Sequence, residues 1–247
     1  MDDAKLQLQA LLPTAIRHRP WIDSVSLRAH EIDGHQALIR AGGSPQRLYF
    51  VAKGWLSGST LLSQKLRPIS SLHIRGDTIG LTWLSAPNPV EDVSTLTPAE
   101  LISVPMAEFR DWLSRDTVLG EFVMREIVRS MMNLQIMSAV AGHMKAPDRL
   151  AYFLFIMLKR CRRSFNTSLT TLQLPMTQEE IGRLLGLTNV SVNRAFRSLE
   201  AEGLIQTGRQ TVMFHNEAAF AERFDLDTRP ALIDQLVGAQ LDLTDAA

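Results

Sequence analysis

Residues 176–203 read MTQEEIGRLLGLTNVSVNRAFRSLEAEG, and their spacing predicts two short helices joined by a tight turn. Thr177 is an N-cap candidate, with Glu180 three residues on completing a capping box. Ile181, Leu184 and Leu185 supply the buried face of the first helix. Gly186 ends it, Leu187 plugs the turn and Thr188 caps the second helix. Val192, Ala195, Phe196 and Leu199 then recur at i, i+3, i+4 and i+7, which is one buried stripe. Gly203 closes the second helix. Two helices around a glycine-containing turn define a helix-turn-helix pattern.

The stripe decides what is left outside. Asn189, Val190, Asn193, Arg194 and Arg197 lie away from it, near the start of the second helix. Side chains there can reach base edges in a DNA major groove. Arginine pairs bidentately with guanine and asparagine with adenine, and Val190 suits a thymine methyl. Thr177 and Thr188 stand at helix N-termini, where backbone N–H groups favour phosphate oxygens. Downstream, residues 204–206 and 211–214 flank Thr207-Gly208-Arg209-Gln210, a strand–turn–strand. Helix, helix and hairpin is the order of a winged helix-turn-helix, with Arg209 at the tip meeting phosphate.

Charge supports this placement. The 247 residues carry 26 basic and 26 acidic side chains, yet they are unevenly spread. Residues 1–144 hold 14 of each, residues 145–215 hold 10 basic and 5 acidic, and residues 216–247 hold 2 and 7. A basic segment between a neutral part and an acidic tail is the electrostatic footprint of a nucleic-acid contact.

Upstream, residues 114–144 contain no proline. Met124, Met131 and Ser138 lie seven apart, and Ile127, Leu134 and Ala141 follow each by three. This a/d stripe over about three heptads predicts the seam of a two-stranded coiled coil, hence a homodimer. Leu119, Phe122 and Val123 form a second stripe for packing within the chain. Arg125, Glu126, Arg129 and Asn133 fall outside the seam. A further buried helix is expected over 147–163 and a short strand near Leu169–Leu174. Earlier, the residues 5–18 read as a helix broken at Pro13. From 25 to 104, short apolar runs at 25–27, 36–43, 47–54, 55–62, 71–77 and 99–105 alternate with Gly- and Pro-containing turns. That spacing predicts a β-sandwich or jelly roll. The acidic end suggests helices around 217–224 and 229–240, with Leu232, Leu236 and Val237 forming a short apolar stripe.

With these parts in order, the chain resembles the Crp/Fnr family of bacterial transcription regulators over about residues 25–215. GLTNVSVNRAFRSLEAEGLI fits the family's recognition helix and the start of its wing. YFVAKGWL and RGDTIG fit its cyclic-nucleotide-binding-type barrel, and the long helix fits its dimerisation helix. The resemblance implies an α+β protein with an effector-sensing jelly roll at 1–112 and a dimerisation helix at 113–146. A winged helix-turn-helix follows at 147–215, then a helical extension at 216–247. It also implies a homodimer on palindromic double-stranded DNA, with RNA polymerase as a partner if the protein activates. A sensor working through protein contacts without specific DNA binding is the alternative.

The family's cyclic-AMP chemistry does not carry over. Cyclic-AMP-binding members place an acidic residue after the Gly-Asp-x-x-Gly run and an Arg-Ser/Thr pair about ten residues later. Here Leu81 follows Gly80, and the arginine region contains Glu91 and Asp92. No Lys or Arg occurs from Gly76 to Phe109. A cyclic phosphate would meet carboxylates, which repel it. Leu134-Gln135 stand where polar adenine contacts would be expected. The effector is therefore expected to be something other than cyclic AMP, and no cofactor is predicted.

Other chemistries are also disfavoured. The oxygen-sensing branch of the family uses a cysteine cluster, whereas Cys161 is the one cysteine here. It lies in RCRR, where neighbouring cations can lower a thiol pKa. His73 is a haem-ligand candidate that its alternating strand pattern assigns instead to a surface or structural position. His18, His30, His35, His143 and His215 show no metal-ligand spacing, and no nucleophile context suggests an enzyme. Apolar residues are 45% and charged residues 21%, ordinary globular values. No apolar run is long enough for a membrane span, and the polar start MDDAKLQLQA argues against a secretory signal. A cytoplasmic location is expected.

Overall fold

The structure is a computed structural model that describes residues 3–63, 66–86, 88–224 and 226. The chain divides into two compact units, with a boundary between Val128 and Arg129 inside one long helix.

The first unit opens with three short helices, α1 (Asp3–Leu11), α2 (Thr14–Arg17) and α3 (Pro20–Ser24). Pro13 separates the first two, as its missing N–H dictates. Eight strands follow: β1 (Arg28–Ile32), β2 (Ala37–Ile39), β3 (Arg47–Lys53), β4 (Leu56–Ser59), β5 (Ile69–His73), β6 (Thr78–Ile79), β7 (Asp92–Thr95) and β8 (Ala99–Pro105). They form two four-stranded sheets, ordered β1-β8-β3-β6 and β2-β7-β4-β5. The pairings β1–β8, β3–β8, β3–β6, β2–β7 and β4–β7 are antiparallel. Along β4 and β7 buried and part-exposed residues alternate, as a half-buried pleat requires. Leu48 and Phe50 of one sheet and Leu56 and Val93 of the other share one core. This is the jelly-roll sandwich expected from the sequence.

The run at 25–27 is not a strand. The Val25 N–H bonds the Trp21 carbonyl at 3.1 Å, closing the last turn of α3, and the Val25 side chain is buried in the core. The first strand starts only at Arg28.

After β8, α4 (Met106–Leu113) leads to α5 (Thr117–His143). The buried Asp116 carboxylate caps α5 by accepting the Leu119 N–H at 3.1 Å and pairs with Arg19 at 2.5 Å. Leu119 and Val123 join the sandwich core, with Phe122 packed against it.

In the second unit, α6 (Ala146–Phe165) is followed by β9 (Thr171–Gln173), α7 (Gln178–Leu185), α8 (Asn189–Ala201), β10 (Ile205–Gly208), β11 (Thr211–Phe214) and α9 (Glu217–Arg223). Pro147 sits in the first turn of α6, where it costs no hydrogen bond. The sheet order is β10-β11-β9. Helix α9, read from the sequence as the start of a C-terminal extension, packs on this unit. Phe220 is fully buried against Phe155, Phe214 and Phe224, and Glu217 pairs with Lys159 and Arg162. The second helix expected at 229–240 lies outside the described residues.

Candidate nucleic-acid interface

The α7–α8 geometry follows from a few local requirements. Thr177 Oγ1 accepts the Glu180 N–H, and the Glu180 carboxylate accepts the Thr177 N–H at 2.7 Å. This is the capping box read from the sequence. Gly186 takes a left-handed conformation, φ +66°, and turns the chain. Thr188 Oγ1 then accepts the Ser191 N–H at 3.1 Å and starts α8. Gly182 is a second requirement that the periodicity did not reveal. A Cβ there would lie 2.6 Å from the Leu187 carbonyl oxygen, so a larger residue would push the turn away from α7. The i+4 distance between Gly182 and Gly186 is the available sequence signal.

Val192, Ala195, Phe196 and Leu199 are buried, so α8 has one fixed rotation. That rotation leaves Asn189, Val190, Arg194 and Arg197 exposed and Asn193 half-buried. Val190 is 69% exposed, unusual for an apolar side chain in a helix. The five expected base-reading residues thus lie on the unburied part of one helix. Asn193 Nδ2 also donates to Gln178 Oε1 at 3.1 Å, adding a residue of α7 that sequence reasoning missed.

Thr177 and Thr188 are both exposed, but their surroundings differ. The Thr177 hydroxyl also donates to the Glu180 carboxylate at 2.9 Å, and Glu179 lies in the same first turn. The first turn of α8 contains no acidic residue. The positive end of the helix dipole is thus offset by carboxylates at α7 and left for an anion at α8.

The hairpin of β10 and β11 is tied to α8. Thr207 donates its N–H to Glu200 at 3.0 Å and its hydroxyl to the same oxygen. These two bonds hold the Glu200 carboxyl below its ordinary pKa. Arg209 is exposed beside Gln210, whose φ of +59° turns the hairpin. Behind the helices, Arg149 donates to Leu185 O at 2.8 Å, Ala141 O at 2.5 Å and Met144 O at 3.1 Å. One guanidinium therefore satisfies carbonyls at the C-terminal ends of α5 and α7.

On α5 the expected seam is open. Met124 is 63% exposed, Ile127 39%, Met131 52% and Leu134 61%, and Ser138 and Ala141 are also exposed.

In the first unit, the residues named for an effector site have structural partners. Leu81 begins the 3-10 turn Leu81–Leu84 and is buried in the sandwich core with Trp83. Glu91 accepts the Ser70 and Ser71 hydroxyls at 2.8 and 3.0 Å, and its carboxylate lies against Gly58, where a Cβ would displace it. Asp92 accepts the Ala41 N–H at 2.8 Å. His73 lies 3.1 Å from the Ser71 hydroxyl through Nε2, and Cys161 is buried. Among the described residues, no His/Cys/Asp/Glu cluster could hold a metal ion, and no helix is long and apolar enough to cross a membrane.

A jelly-roll sandwich, a long helix with an open apolar stripe and a winged helix-turn-helix together define a transcription regulator with a sensor-type domain. Residues 29–116 match the cyclic nucleotide-binding domain, and residues 148–223 match the Crp-like helix-turn-helix domain, which includes α9. The chain belongs to the Crp/Fnr family of transcription regulators. It is 24% identical over 202 residues to the fumarate and nitrate reduction regulatory protein of Escherichia coli K12, covering 81% of this chain and 80% of that protein. The anaerobic regulatory protein of Aggregatibacter actinomycetemcomitans is 25% identical, with coverages of 81% and 78%. The structure of FixK2 from Bradyrhizobium japonicum aligns with a TM-score of 0.72 at 21% identity, covering 80% of this chain and 96% of that one. These domains and relatives are regulatory DNA-binding proteins rather than enzymes.

Proposed function

We propose that the protein acts as a homodimer that binds a palindromic duplex operator, with α8 of each copy in a major groove. The observation that carries this reading is the fixed rotation of α8. It buries one apolar stripe and leaves Asn189, Val190, Asn193, Arg194 and Arg197 outside. Arg194 and Arg197 supply guanine-type contacts, Asn189 and Asn193 adenine-type contacts, and Val190 a thymine methyl contact. Thr188, at the uncharged start of α8, and Arg209 on the wing meet phosphates. Thr177 is a poorer phosphate partner because Glu180 shares its end of α7. The open stripe of Met124, Ile127, Met131, Leu134, Ser138 and Ala141 pairs with its copy and sets the spacing of two half-sites.

The jelly roll acts as the sensor, and its effector is not cyclic AMP. Glu91 and Asp92 bring carboxylates where a phosphate would need a cation, and Leu81 cannot hold a ribose hydroxyl. A single buried Cys161 supplies no cysteine cluster for an iron–sulfur sensor. RNA polymerase is the further partner if the regulator activates, and the cytoplasm is where this work takes place.

Crosslinking the protein to its genome and sequencing the bound fragments tests the reading. An enriched palindrome with half-sites about one helical turn apart is the expected result. Fragments without a shared palindrome would favour a sensor working through protein contacts.

A further inference from the structure

We infer that Gln178 is a positioning residue for base readout, orienting the Asn193 carboxamide so that it selects adenine at one position of each half-site. This rests on the reading of α8 as the recognition helix and assigns a role to a residue of the preceding helix.

The chemistry is in the amide. A carboxamide carries one acceptor oxygen and two donor hydrogens. The major-groove edge of adenine offers an acceptor, N7, and a donor, N6–H, whereas guanine offers two acceptors, O6 and N7. A freely turning asparagine can meet either edge. It presents Oδ1 and one N–H to adenine, or its two N–H groups to guanine. In the structure Asn193 Nδ2 donates to Gln178 Oε1 at 3.1 Å. That bond occupies one of the two hydrogens and fixes the amide plane. What remains is Oδ1 and one N–H, which complements the edge of adenine and not the two acceptors of guanine. The rotamer is set before DNA arrives, so less ordering entropy opposes the contact.

Local structure gives Gln178 no competing duty. It is the first residue of α7, but the cap is made by Thr177 and Glu180. It is half-buried rather than part of the core. Val190, one turn before Asn193 on α8, and Arg194, directly after it, are exposed beside the pair. The pair therefore sits within the base-reading surface and not behind it.

The test is selection from a pool of random duplex oligonucleotides by the full-length protein. Wild type, Gln178→Ala, Gln178→Glu and Asn193→Ala are compared, with each fold checked by circular dichroism and melting. Wild type is expected to enrich a palindrome with an adenine whose selection disappears in Asn193→Ala. Gln178→Ala should lose roughly tenfold of the discrimination at that same position and leave the other positions unchanged. Gln178→Glu keeps an acceptor for Asn193 Nδ2, so it should retain the adenine preference while binding all sequences more weakly. Adding Gln178→Ala to Asn193→Ala should change nothing further at that base, because the two act as a unit. Unchanged adenine preference in Gln178→Ala, or additive effects in the double variant, overturns the inference while leaving the DNA-binding reading intact. A wild-type protein that enriches no palindrome overturns both.

Discussion

Replacing Leu134 with Asp tests the dimer seam at its most exposed described leucine on α5. Full transfer of a leucine side chain from water to an apolar environment is worth about 1.5–3 kcal/mol. Leu134 is 61% exposed, so covering it in a dimer gains roughly 1–2 kcal/mol per copy, or about 2–4 for the pair. Aspartate forfeits that gain and places a carboxylate of each copy in an apolar seam, where desolvation and like charge both oppose pairing. A loss of at least about 3 kcal/mol raises the dimer dissociation constant more than ~100-fold. The monomer fold should be kept, since the side chain already faces water. Light scattering at micromolar concentration should report monomer, with an unchanged circular dichroism spectrum. Operator affinity should fall because two linked half-site contacts become one. Arg125→Asp, a charge change outside the seam, should remain dimeric. A Leu134→Asp protein that stays dimeric at micromolar concentration refutes the seam assignment.

Arg194→Ala should lose about 1–3 kcal/mol of discrimination at one base pair of each half-site, while Arg209→Ala should weaken all sequences alike and flatten the salt dependence of binding. Untouched base preference in Arg194→Ala, measured by competition binding, would remove that residue from the reading face. Cyclic AMP should neither shift the melting temperature nor tighten operator binding. A ligand at 100 times its dissociation constant would add about 2.7 kcal/mol, which a melt would register. At the joint of α9 and α6, burial raises the Glu217 carboxyl, but Lys159 and Arg162 outweigh it and hold it below its ordinary value of 4.5. Its contribution is therefore full above that value and lost as pH falls through the lower folded value. Glu217→Gln should cost about 1–3 kcal/mol at neutral pH and flatten the acid limb of a pH-resolved denaturation curve. An unaltered acid limb would show that the pair does not couple to folding.

How much was legible depended on how local each determinant was. The capping box, the stripe on α8 and the a/d stripe on α5 are relations among residues three to seven apart, and a helix turns such spacing directly into a face. The cap and the buried face of α8 could be read from the sequence in this way, and the α5 stripe is found exposed. Residues 78–79 and 92–95 carried no comparable signal, because strands of two and four residues are fixed by neighbours far along the chain. Thr78 pairs with Phe50, and Val93 with Gly58 and Ile39. The strand expected at 25–27 failed for the opposite reason: its valine is apolar for the core, but its N–H is taken by the Trp21 carbonyl at the end of α3 and not by a strand partner. The same contrast runs through the interface. Charge and rotation expose Arg194 and Arg197, and both are visible in sequence. The carboxylates that separate Thr177 from Thr188 are local too, whereas the Gln178–Asn193 hydrogen bond joins two helices and arises only once the turn at Gly182 and Gly186 brings them together. Which residues α8 leaves exposed thus follows from periodicity. How a side chain such as Asn193 is held follows from contacts between helices, and the turn joining them makes a close approach at Gly182 that leaves no room for a Cβ.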